Sequence, residues 1–300
     1  MTIVAAVAVF FLVGPLLLGI AGLRGAAGER RRSGAPAARW NWRSTLSSAL
    51  LYTLAFNVTF FLQELFLVIP KALTPGLHAT LLHNNHTWQG SNPLAALYQG
   101  TGALATVVSG ALCAMLLRQR PRRSATARLF LAWMAYSGFF MALPQVVIGA
   151  LSPRSDVGTA MEFLRLGPAA RAAAAVTALL LMPAAAWRLS REFLGAATER
   201  AQLASARARL RFVFQVATLP ALIAIPMIVP FRIPRGLVEV VGVPAVVSVA
   251  GIVWVQASGW REAAARAPAG ARESMLWPFA AVLALLLVFQ LVLRRGVAFY

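Results

Sequence analysis

Residues 46–69 read Leu46-Ser-Ser-Ala-Leu-Leu-Tyr-Thr-Leu-Ala-Phe-Asn57-Val-Thr-Phe-Phe-Leu-Gln-Glu64-Leu-Phe-Leu-Val-Ile69, a long apolar run holding a single charge. A helix needs about 20 mostly apolar residues to cross the hydrocarbon layer of a bilayer. This run is long enough, and comparable blocks lie at 3–23, 94–117, 129–150, 168–187, 212–230, 236–257 and 276–293. The whole chain is 59% hydrophobic and 12% charged, with a mean hydropathy of +0.71. An ordinary soluble domain carries roughly 25% charged residues, and one soluble core of this size could not hide so much apolar surface. The expectation is an all-α, polytopic integral membrane protein of about eight transmembrane helices, forming a single membrane domain over 1–300.

Charge is distributed unevenly. There are 28 Lys and Arg against 9 Asp and Glu, for a net +19, and Lys71 is the only lysine. The arginines fall in short runs between spans: Arg24 to Arg43, Arg118 to Arg128, and Arg188 to Arg211. The intervening segments 70–93 and 151–167 are nearly neutral. Basic runs of this kind set orientation and touch anionic lipid head groups. They lack the aromatic-interleaved basic module of a nucleic-acid binder, so no nucleic-acid partner is expected. The positive-inside rule then puts the arginine loops in the cytoplasm and both termini outside the plasma (inner) membrane. The last third fits this rule least well, because Arg294 and Arg295 follow the eighth block on the outer side.

Cys113 is the single cysteine, so no intrachain disulfide and no cysteine-based metal or redox motif exist. The first block carries no basic residue before it and reads as a reverse signal-anchor. Segment 188–211 intersperses Leu189, Phe193, Leu194, Leu203 and Leu210 with arginines. It reads as a cytoplasmic amphipathic helix at the membrane surface, or as a charged extension of the neighbouring span. Segments 27–38 and 262–272 read as Gly-, Ala-, Pro- and Arg-rich linkers. There is no internal repeat, phosphate-binding loop, dinucleotide fingerprint or nucleophile elbow.

Chemistry-bearing residues concentrate around the second span. Asn57, Glu64 and Lys71 are spaced by seven and share a helix face, provided Pro70 does not end the helix before Lys71. A carboxylate in such a helix costs about 2.5–3.5 kcal/mol to insert at mid-membrane, so Glu64 must face protein or water. All three histidines follow closely: His78, His83 and His86. On a helix, His83-x-x-His86 would present two imidazoles on one side, enough for a zinc-like divalent metal if His78, Glu64, Asp156 or Glu162 completed the set. Such a metal would generate hydroxide from bound water. The next outer segment holds Asp156, the only aspartate, with Thr159-x-x-Glu162 fitting a helix capping box. Gln99, Gln145, Gln215, Glu239 and Gln290 lie in or near spans, with Glu239 expected to pair with Arg232 or Arg235. Gly100, Gly102 and Gly110 mark the third span as a close-packing helix.

The run from Gln63-Glu64-Leu-Phe-Leu-Val-Ile-Pro70-Lys71 through His83-Asn-Asn-His86 to Gly100-Thr-Gly102 resembles a group of bacterial multi-pass membrane proteins. Asp156-Val-Gly-Thr-Ala-Met-Glu-Phe-Leu164 and Arg232-Ile-Pro-Arg-Gly-Leu-Val-Glu239 resemble parts of the same pattern. The resemblance covers about half the chain and implies an architecture, with no mechanism attached. A remoter similarity is to membrane-embedded zinc peptidases with a His-Glu-x-x-His helix. Here Gln63, Glu64 and Leu67 occupy that motif, so the glutamate matches and both histidines fail.

The leading expectation is an outward-facing polar site with Glu64 and Asp156 as catalytic groups and His83, His86 and His78 as metal ligands. It would act hydrolytically on a membrane-associated substrate. Alternatives are a proton-coupled carrier using the Asn57–Glu64 stripe and a non-catalytic assembly partner.

Overall fold

The computed structural model describes residues 2–29, 39–119, 124–261 and 275–300. Its helices are α1 (Thr2–Glu29), α2 (Trp42–Ala72), α3 (Leu94–Tyr98), α4 (Thr101–Gln119), α5 (Ala125–Leu151), α6 (Asp156–Phe163), α7 (Pro168–Leu194), α8 (Ala206–Val213), α9 (Leu219–Arg232), α10 (Val243–Ser258) and α11 (Leu276–Leu287). Short π-helical turns continue α8 into α9, lead into α10 and extend α11. Among the described residues, seven helical segments are long and apolar enough to cross a membrane, and α1 adds a shorter apolar stretch at Val9–Arg24. The chain is therefore an all-α polytopic membrane protein of about eight helices. The expected linker at 27–38 begins later than its composition suggests, because α1 runs on to Glu29. Its remainder, and the linker at 262–272, lie outside the described residues.

The bundle is built around α2 and α5, about two-thirds of whose apolar windows are buried, against 17% for the final helix. Tyr52 and Trp133 lie with ring centroids 4.3 Å apart, and Tyr136 meets both edge-on. Their polar ends are all used. Trp133 donates to Ser48 Oγ at 2.9 Å, Tyr52 and Ser248 share a 2.9 Å hydrogen bond, and Tyr136 donates to the Ser248 carbonyl at 2.7 Å. Where water is excluded, an unpaired polar group costs several kcal/mol.

Prolines create further openings that other helices fill. Pro220 has no N–H for the carbonyl of Val216, and Ser48 Oγ donates to that carbonyl at 2.5 Å. Pro70 likewise frees the carbonyl of Phe66, and Thr101 Oγ1 donates to it at 2.6 Å. The helix therefore continues through Pro70 to Ala72, and Lys71 stays on it. Gln145, next to Pro144, serves its own helix and a neighbouring one. Its amide donates to the Met141 carbonyl and to Gln63 Oε1, both at 2.9 Å.

Small residues let α4 and α5 touch. A Cβ on Gly138 would lie 2.7 Å from Gly110 Cα, and a Cβ on Gly110 would lie 3.2 Å from Gly138 Cα. The close-packing reading of the third span holds at Gly110 and at Gly102, which abuts Leu67 and Gln63 of α2.

Segment 188–211 is assembled from three pieces. Helix α7 continues to Leu194, a short 3-10 turn follows at Arg200–Gln202, and Ser205 caps α8. Its charges are organised by Glu192, which pairs with Arg128 at 3.1 Å and Arg188 at 3.2 Å.

One feature was absent from the expected architecture. After α2 the chain forms a hairpin of β1 (Leu77–Leu81) and β2 (His86–Gly90), and β3 (Val297–Ala298) adds to its other edge. Thr80 pairs with Ala298 and Leu81 with Val297. The final helix thus returns the chain to the hairpin face, which also holds the 152–167 and 233–237 connections. Among the described residues, Arg43, Arg118, Arg128 and the segment 188–211 lie at the opposite ends of the same helices.

Candidate functional site

Glu64 and Lys71 stand two turns apart on the buried face of α2, 6% and 0% exposed. The hairpin carries His86 against them. Gly76 and Gly90, both with positive φ, let the strands leave α2 and close the ladder. In the antiparallel register Leu81 opposes His86, so the two side chains share a face. Leu77, Ala79 and Leu81 form the buried face of β1, and His86 is consequently turned inward, 7% exposed.

The contacts form one connected chain. His86 Nδ1 lies 2.9 Å from Glu64 Oε2. Lys71 Nζ lies 2.9 Å from the Leu67 carbonyl, 3.0 Å from Gln99 Oε1 and 3.2 Å from His86 Nε2. An ammonium has three protons to donate, and these three acceptors use all of them. Under that assignment His86 is neutral, donates from Nδ1 to the Glu64 carboxylate and accepts at Nε2. Gln99 Oε1 approaches His86 Nε2 at 3.2 Å, two acceptors held together by the shared ammonium. Trp88 closes the outer side, with its ring stacked on His86 and lying 4.6 Å from Lys71 Nζ.

Asp156 begins α6 beside this cluster. Burial, and then the negative charge of Glu64, push its carboxyl above the usual aspartate range, and His86 and Lys71 partly offset them. Ser155 provides the cap of α6, accepting from the Gly158 amide at 3.2 Å. The expected Thr159–Glu162 capping box is not the device used, because Thr159 already lies inside the helix.

The histidines separate. His78 opposes Gln89 on the exposed face of β1 and packs edge-on against Tyr300. His83 sits in the hairpin turn, where the Leu82 amide donates to the Asn85 carbonyl at 2.8 Å. It faces the 231–235 connection. The His83-x-x-His86 pair is thus part of a hairpin, and the one-sided placement expected of a helix is lost. Among the described residues, no three His, Cys, Asp or Glu side chains are grouped to hold a metal ion. The expected ligand set of His78, His83 and His86 is therefore not brought together among the described residues, and a zinc-like metal at those three side chains is without support.

The structure also reveals participants that spacing alone did not mark. Gln99 completes the coordination of Lys71 from the turn between α3 and α4. Arg232, 3% exposed, lies 4.4 Å over the Phe60 ring within electrostatic reach of Glu64. It donates from Nε to the backbone carbonyl of Glu239 at 2.7 Å, and Arg235 is the residue that meets the Glu239 carboxylate, at 3.9 Å.

The fold defines the class, a polytopic helical membrane protein with a buried acid–base cluster at one end of the bundle. Compared with protein-family models, curated proteins and solved structures, the chain matches none of them.

Proposed function

We propose that this chain is a bacterial inner-membrane enzyme carrying out an acid–base, hydrolase-like step on a membrane-associated substrate. The single observation behind this reading is the chain Glu64–His86–Lys71. A carboxylate that fixes an imidazole through Nδ1 leaves Nε2 as the working nitrogen, and here Nε2 faces an amine. A proton passed from Lys71 Nζ to His86 Nε2 yields an imidazolium paired with Glu64 and a neutral amine, which takes the proton of a substrate hydroxyl once Trp88 is displaced from the buried Lys71. Gln99 orients the amine, and Asp156 sets the local charge.

The carrier reading uses the same glutamate but finds less support. Seven residues deeper, Asn57 spends its amide on the Thr53 carbonyl at 2.8 Å, and the Thr53 hydroxyl on the Ala49 carbonyl, so both donors serve their own helix. The orientation we adopt places the hairpin face outside and the arginine ends in the cytoplasm. There, anionic phospholipids are the expected partners. A groove of about 430 Å³ between α4, α5 and α7, lined by Val107, Ala111, Phe139 and Leu181, ends at Arg118 and Arg188. That arrangement suits an acyl chain beneath a charged head group.

The test compares lipids and lipid-linked compounds in membranes containing wild-type protein, Glu64→Gln or His86→Ala at equal folded levels. A compound consumed only by the wild type is expected. Identical profiles for all three would end the enzyme reading.

A further inference from the structure

On the other side of the hairpin turn lies a second polar group that the acid–base cluster does not use. His83, Asn84 and Arg232 are 5%, 7% and 3% exposed. Neither ring nitrogen of His83 makes a hydrogen bond of good geometry, and Asn84 Oδ1 and Arg232 Nη1 are also without partners. Buried polar groups left unpaired are uncommon and costly. At least three such atoms lie around one connection, since the Ile233 carbonyl is a weak acceptor for one His83 ring nitrogen. Asn84 Nδ2 donates to the Phe231 carbonyl at 3.1 Å, and the backbone of Ile233 acts on the His83 ring. Gln290 braces the same connection by donating to the carbonyls of Pro230 and Ile233, at 2.6 and 3.0 Å.

The charge of the place is one-sided. Arg232, Arg235 and Arg294 all act on His83. The acid of the connection, Glu239, is more than half exposed; its carboxylate meets Arg235 at 3.9 Å, and its charge, like that of Glu64, also acts on Arg232. Burial, followed by Arg235, holds the His83 imidazole below its ordinary range, with Arg294 and Arg232 adding to the effect. A cationic, partly desolvated cluster with an unpaired guanidinium N–H suits a phosphoryl oxygen. Asn84 Oδ1 is an acceptor, which suits the hydroxyl of a protonated phosphate monoester.

We propose that His83, Asn84, Arg232, Arg235 and Arg294 form a phosphoryl-binding subsite beside the Glu64–His86–Lys71 cluster, and that the membrane-borne substrate carries a phosphate group there. This rests on the enzyme reading above for its link to a substrate. Arg232 joins the two sites, since its charge acts on both Glu64 and His83.

The experiment uses the full chain with 15N-labelled histidine in phosphatidylcholine nanodiscs, with the His83 signals assigned through His83→Gln. One arm adds inorganic phosphate, and the other replaces part of the lipid with phosphatidic acid. The expected result is a shift of the His83 ring resonances with phosphatidic acid and a titration displaced to higher pH, because a bound anion favours the imidazolium. A response to inorganic phosphate as well marks a subsite open to water. A response to inorganic phosphate alone overturns the membrane-borne assignment. Arg294→Gln, on an exposed side chain, should weaken the response about tenfold, as loss of one charge-assisted hydrogen bond does. No shift in either arm, or undiminished binding in a folded Arg232→Gln/Arg294→Gln protein, overturns the subsite. His86→Ala is expected to keep the His83 response, so failure of the enzyme reading and failure of the subsite are told apart.

Discussion

Glu64 and His86 meet at 2.9 Å although one lies on a membrane-spanning helix and the other on a β-strand outside it. The contact fixes the hairpin to the bundle as well as orienting the imidazole. Both side chains are nearly inaccessible, so neither partner has water to replace the other.

This predicts strong coupling between the two. Removing one side of a buried pair leaves the other orphaned, at about 1–3 kcal/mol. Glu64→Ala and His86→Ala should each destabilise by about that amount, and the double variant by clearly less than their sum. Thermal unfolding in detergent across this mutant cycle measures the coupling, and additive losses would show that the contact contributes little.

The raised carboxyl of Asp156 carries its own prediction. The native state holds the proton more tightly than the unfolded chain, so stability falls as pH rises from the ordinary aspartate range through the elevated native value. Above that window the penalty is constant. Asp156→Asn should therefore raise the melting temperature at neutral pH and leave it unchanged in strong acid. A loss of stability at neutral pH would contradict it.

His83 behaves in the opposite sense. Its native form resists protonation, so the unfolded chain binds the extra proton and stability drops as pH falls below 6.5. His83→Gln should flatten that part of the pH profile. A profile identical to that of the wild type would mean that other groups govern it.

The contact between α4 and α5 makes a steric prediction. A methyl on Gly138 meets backbone atoms of Thr106 and Gly110, all under 3.0 Å, whereas one on Gly110 meets its neighbours at 3.2 Å or more. Backbone cannot swing aside like a side chain. Gly138→Ala should cost about 1–3 kcal/mol, the range for overpacking, and Gly110→Ala should cost less. Unfolding measurements on the two variants give the order directly.

The return of the chain to the hairpin face is checked by accessibility. In a Cys113→Ala background, His78→Cys and Tyr300→Cys should react with a membrane-impermeant maleimide from one side, and Thr198→Cys only from the other. If residues 78 and 198 label from the same side, the bundle direction is wrong.

The membrane architecture was legible in the sequence because lipid imposes a simple rule. Each span must be apolar over about 20 residues and satisfy its own backbone bonds, and both demands are local. The burial of Glu64 was legible for a related reason, since its seven-residue spacing to Asn57 and Lys71 places all three on one face of a continuous helix, where all three are buried. The partners of that face were not legible. His86 reaches Glu64 only because a two-stranded register turns it inward, and the same alternation turns His78 outward. The strands are short: Leu77, Ala79 and Leu81 alternate with His78 and Thr80, but over only five residues, and β2 carries no such alternation to mark its partner. Gln99 and Arg232 come to the site from elements 28 and 161 residues beyond Lys71, and β3 from the far end of the chain. Sequence alone fixed which segments enter the membrane, because that depends on the residues of each segment. The tertiary structure decided which polar side chains meet, because that depends on register and on contacts between distant segments.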